Sequence, residues 1–146
     1  MVTADLELKG VFYHIGKLDV RTQQRVAWKL GGTRAGMYAD MRASDNPMAE
    51  FLPLFLVLSA LPPQDADFII DTCLAVVTRK DGQSWARLMA TNGALMYEDI
   101  DVEVIHRLVD KALEFNLGNF FATLRQDTTG PQAESTASNG SGTQTA

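Results

Sequence analysis

Cysteine is almost missing from this 146-residue chain, histidine is scarce, and no hydrophobic run is long. Each shortage excludes something. A single cysteine, Cys73, rules out an intramolecular disulfide and any CxxC metal or redox motif. It lies in the apolar stretch Asp71–Val77, where a thiol reads as a small buried hydrophobe before it reads as a nucleophile. Cations are also short. The 13 Lys and Arg face 18 Asp and Glu, a net charge of −5, whereas a general nucleic-acid binder carries a cationic surplus to displace counterions from phosphates. The greasiest segment, Phe51–Leu61, is interrupted by Pro53 and falls well short of the ~20 apolar residues of a membrane helix. The opening residues, Met1–Glu7, lack the basic region and apolar run of a signal peptide, so a soluble intracellular protein is expected.

What is present is globular material. Hydrophobic residues make up 46% and charged residues 21%, enough for one core and too apolar for a chain disordered throughout. The composition breaks at Gln126. From there to Ala146 there is no aromatic, no aliphatic larger than Ala and no basic residue. Such a segment cannot offset its ordering entropy by burial. The expectation is one helix-rich domain over residues 1–125 and a disordered Thr/Ser/Gly-rich tail over 126–146.

Periodicity within the domain points to an α+β fold that is predominantly α-helical, with about five helices. Leu6–Gly16 favours short N-terminal strands, with Gly10 marking a bulge or a turn. Asp19 is a good N-cap for a helix Val20–Leu30 that Gly31 and Gly32 stop, and a second helix follows over Thr33–Ala43. Asn46 and Pro47 signal a restart, giving a helix Met48–Ala60 with Pro53 in its first turns. A further helix runs from Asp65 to about Arg79. Apolar runs on either side of Asn92-Gly93 predict a β-hairpin near residues 84–97. Asp101 caps a helix from Val102 to about Phe115, and Asn116 or Gly118 separates it from a short last helix ending near Leu124.

Catalytic raw material is thin. His14 and His106 fall on separate elements, and His106 stands at helical spacing from Glu103 and Asp110, an arrangement common on any charged helix face. The acids Glu98, Asp99, Asp101 and Glu103 lack the spacing of a calcium loop and are explained by helix capping. Gly31–Gly36 follows a helix and lacks the Gly-Lys-Ser/Thr of a phosphate loop. No catalytic residue, metal ligand or cofactor is therefore assigned.

Two features point instead to partners. Arg21, Arg25 and Lys29 recur at i, i+4 and i+8, one basic stripe along a helix. The preferred reading is a solvated face balancing the acidic second half, with contacts to an acidic partner surface next. Phe51–Leu61 is apolar at nearly every position, more than one face of a surface helix needs. It is either central to the core or covered on one side by another chain.

In their order along the chain these segments resemble the small tail assembly chaperones of long-tailed bacteriophages and prophages. The resemblance runs through Ile15–Asp19 into Gln24–Leu30, then Ser59–Pro62, Phe68–Val77 and Trp85. It is most distinctive where Gly93–Ile100 is followed by the helix Leu108–Phe121, which closes on Asn-Leu-Gly-Asn-Phe-Phe. The resemblance implies a non-enzymatic role. Such a chaperone binds the helical tape measure protein, keeps it soluble until the tail tube polymerises, acts in the cytoplasm of the bacterial host and is absent from the mature virion. A longer frameshifted product would recruit the major tail tube protein. On this reading Phe51, Leu54, Phe55 and Leu58 are the candidates for partner binding or for self-association into a homo-oligomer. Leu58→Asp is then expected to abolish that binding, or to unfold the chain if Leu58 is core. The alternatives are a small phage-derived nucleic-acid-binding or regulatory protein using the basic stripe and, last, an enzyme built on His106.

Overall fold

A computed structural model describes residues 3–129, with side chains to residue 125. The first hairpin pairs β1 (Thr3–Leu8) with β2 (Val11–Gly16) through a two-residue turn in which Lys9 and Gly10 have φ of 52° and 81°. Positive φ at both central positions matches the twist of the flanking strands, and Gly10 adopts it without a Cβ penalty. Gly10 is thus a turn residue and not a bulge. β3 (Val77–Asp81) pairs with β2, and β4 (Ser84–Arg87) pairs with β3, completing a four-stranded antiparallel sheet in the order β1-β2-β3-β4.

The caps fall where the side chains dictate. Asp19 accepts the Thr22 N–H at 2.8 Å and starts α1 (Val20–Leu30). Gly31, at φ 80°, ends it, and α2 (Gly32–Arg42) follows directly. Asn46 caps a short 3-10 turn, Pro47–Glu50, and α3 (Leu52–Ser59) begins after a break at Phe51. The helix expected over Met48–Ala60 is therefore split. Pro53 has no N–H to donate, so the chain starts a new helix around it and keeps it in the first turn. α4 (Pro63–Leu74) stops before the expected Arg79, because Val77 and Thr78 pair with β2 as strand residues. The regular part of the hairpin consequently lies at 77–87, turning at Gly82, ahead of the expected 84–97. The Asn92-Gly93 turn also forms, but closes a single bridge between Met89 and Leu95.

α5 (Val102–Thr129) starts at Asp101, which accepts the Val104 N–H at 2.9 Å, and continues through Asn116 and Gly118 without the expected break. Burial overrides propensity here: Leu108, Ala112, Leu113, Leu117 and Phe121 carry one buried stripe across the junction. Asn116 itself is buried and its hydrogen bonds are satisfied. Its Oδ1 accepts from Leu18 N (2.7 Å) and Gln23 Nε2 (3.2 Å), and its Nδ2 donates to the Gly16 and Ala112 carbonyls (3.2 and 3.0 Å). One side chain thereby fastens the β2–α1 corner to α5. The core gathers Ile15, Leu30, Leu54, Ile69, Leu88 and Leu108 around α5. Cys73 belongs to it, and burial pushes its thiol up to about 12, so it is packing and not a reagent. Residues 126–129, the start of the expected tail, continue α5, and the rest of that tail lies outside the described residues.

Candidate interaction surfaces

α3 divides its apolar residues between two sides. Leu54, Val57 and Leu58 are buried, while Leu52, Phe55 and Leu56 remain 39%, 41% and 47% exposed. Of the candidate partner residues, Leu54 and Leu58 are thus core side chains. Phe55 is exposed, and half-buried Phe51 stacks on it with ring centroids 5.9 Å apart. The apolar excess of this segment satisfies the core on one side and leaves a second face open.

That open face continues onto α2. Two hollows of about 200 and 410 Å³ share Met41 and Leu56; Met48 and Leu52 line the first, Met37 the second. Methionine side chains are unbranched and polarisable, so a surface lined by them adapts to differently shaped apolar partners. Sequence reasoning passed over Met37, Met41 and Met48, although their i, i+4 spacing on α2 and the restart at Pro47 were there to be read.

A second groove, of about 450 Å³, lies between α1 and the C-terminal half of α5. Val20, Ala27, Trp28, Leu117 and Phe120 line it, and Trp28 is 69% exposed. Arg21 and Arg25 of the predicted basic stripe follow Trp28 around α1, at the edge of this groove. Arg21 and Arg25 are exposed and make no salt bridge within 4.0 Å among the described residues, whereas Lys29 pairs with Asp65 at 3.1 Å and lies over the Phe68 ring. Hydrogen bonds from Thr22, with the charge of Arg25 after them, hold the Asp19 carboxyl below its ordinary range.

The residues of the enzyme alternative point in different directions. His106 donates Nδ1–H to the Val102 carbonyl at 2.8 Å and packs against Phe51 and Phe55. Glu103 bonds Arg107 at 2.8 Å and stands 3.5 Å from Lys9. Asp110 is buried and accepts from Arg42 Nε at 2.9 and 2.8 Å and from the Tyr38 hydroxyl. The acidic patch is likewise engaged, Asp99 with Arg79 and Asp101 with Lys9. Among the described residues no group of three His, Cys, Asp or Glu could hold a metal ion, and no helix is long and apolar enough to cross a membrane.

The Asp110 network has a pH signature. Burial pushes the Asp110 carboxyl from its ordinary 3.8 up to about 6, against the opposing effect of the hydrogen bonds from Tyr38 and Arg42. A carboxyl raised in the fold binds more protons folded than unfolded between those two values. Its contribution to stability therefore grows as pH falls through that window, by about 3 kcal/mol in full. Asp19, Asp99, Asp101 and Glu103 are held low and act in the opposite sense, losing their contribution below about pH 4. Thermal unfolding is expected to show Tm rising from pH 7.5 to about 5 and falling below about 4. Asp110→Asn should flatten the rise; a Tm that only falls on acidification would refute the assignment.

Fold and surface together define a small α+β domain that presents two apolar grooves, one rich in methionine and one with a basic border. Residues 9–130 match a family model described as phage tail assembly chaperone protein, TAC, and the chain belongs to that family. No curated protein and no solved structure matches it.

Proposed function

We propose that this chain binds the tape measure protein of a phage tail and keeps it soluble until the tail tube polymerises around it. Family membership supports the tail-assembly setting. The observation that carries the binding role is the apolar face of α2 and α3, where Met37, Leu52, Phe55 and Leu56 are each more than a third exposed on one side of a well-formed core. A helical client with an unpartnered apolar stripe aggregates through that stripe, and a chaperone groove covers it reversibly. Incoming tube subunits then displace the chaperone, so it works in the cytoplasm of the bacterial host and is left out of the mature particle. The chemistry is binding alone, with residues 1–125 as the binding domain.

Co-expression with the tape measure protein of the same phage tests this. A client that is insoluble alone is expected to become soluble and to co-purify with this chain. A client equally insoluble with and without it, or soluble alone and never associated, would overturn the proposal.

A further inference from the structure

The α1–α5 groove shows what kind of helix it takes. Successive residues of a helix turn by about 100°, so Val20, Gln24 and Ala27 share one side of α1 and Trp28 stands at its edge. Arg21 and Arg25 come next around the same helix, beyond Trp28 and away from the buried Val26 and Leu30. The groove thus has an apolar floor, an aromatic wall and a cationic rim along that wall. Among the described residues Lys29 pairs with Asp65, while Arg21 and Arg25 make no salt bridge and the nearest carboxylate acting on the rim is that of Asp19, which feels the charge of Arg25 without an ion-pair contact. The groove is also preformed, because the Asn116 hydrogen bonds to Leu18 and Gln23 hold the start of α1 against α5.

We infer that this groove seats one amphipathic helix of the tape measure protein, with an apolar strip against Trp28 and Phe120 and an Asp/Glu-rich flank against Arg21 and Arg25. The inference rests on the function proposed above and specifies its partner chemistry. An apolar strip recurring at i, i+3, i+4 and i+7 matches the ~16 Å length of α1, and carboxylates one step round that helix meet the arginines. A second copy of this chain is a poorer occupant. A two-fold axis running across the groove would set two Arg21/Arg25 rims against each other, like charge on like.

Trp28 supplies the readout. The chain has two tryptophans, so full-length Trp85→Phe leaves Trp28 as the sole emitter in the groove. The probes are two synthetic helical peptides of about 20 residues with the same leucine strip, one flanked by Glu and one by Lys. The Glu peptide is expected to shift Trp28 emission to the blue and to bind at least about tenfold tighter at low salt, the gap closing as salt is added. Arg21→Glu/Arg25→Glu should reverse the preference, with circular dichroism confirming an unchanged fold. Equal affinity for both peptides, no Trp28 response, or a Trp28 shift that follows protein concentration without peptide would overturn the inference, the last by showing a second copy in the groove. Co-expression separates it from the function proposed above. If wild type solubilises the tape measure protein and Arg21→Glu/Arg25→Glu does not, the groove is a seat the client requires beside the α2–α3 face. If both do, the groove assignment fails and the chaperone function stands. If neither does, the function fails and takes the inference with it.

Discussion

Asp110→Ala is expected to destabilise the domain by about 3–5 kcal/mol, lowering Tm by ~10 °C or more. Asp110 is 1% exposed and receives both Arg42 hydrogen bonds and the Tyr38 hydroxyl. Removing it orphans two donors at once. Tyr38 is also buried, and burial pushes its hydroxyl well above the ordinary range, so it stays a donor with nothing left to donate to. Arg42 keeps a second carboxylate, Glu114, at 3.4 Å, and its side chain is 21% exposed. The larger part of the loss therefore falls on Tyr38 and on the cavity. The triple replacement Tyr38→Phe/Arg42→Met/Asp110→Leu should recover most of it, since an apolar trio of similar volume carries no desolvation cost. Thermal and urea unfolding of the three proteins decide the matter. An Asp110→Ala protein within about 1 kcal/mol of wild type would show that the network contributes no more than a surface pair.

The parts of the fold visible in the sequence were those decided by neighbours along the chain. Asp19, Asn46 and Asp101 cap helices because each has a free N–H within three residues, and Gly10 and Gly31 turn the chain where only positive φ serves. What local reasoning missed was decided across long separations. Val77 and Thr78 follow a helix and could continue it, but β2 offers them a ladder more than 60 residues away in sequence. Asn116 and Gly118 look like a break, yet they continue α5 because the buried stripe does not stop there and because Asn116 finds four partners. The same logic governs the interaction surfaces. The excess of apolar residues on Phe51–Leu61 was legible; which of them face inward was not, since that depends on where α2 and α5 stand.

That division makes Leu58→Asp and Leu56→Asp a discriminating pair. Leu58 is 5% exposed and packs in the core, so an aspartate there removes a buried side chain and leaves a carboxylate with no partner. Loss of the leucine alone costs about 2–5 kcal/mol, and the buried charge adds to it, enough to exhaust the stability of a domain this size. Leu58→Asp is expected to be unfolded by circular dichroism and recovered from inclusion bodies. Leu56, two residues earlier, is 47% exposed between the two methionine-lined hollows. Leu56→Asp should change stability by no more than about 1 kcal/mol while cutting the yield of soluble tape measure protein, because the new charge lies where an apolar client would be desolvated. A folded Leu58→Asp protein would contradict the core described above. A folded Leu56→Asp protein that solubilises the client as well as wild type would take the α2–α3 face out of client binding and leave the α1–α5 groove to account for it.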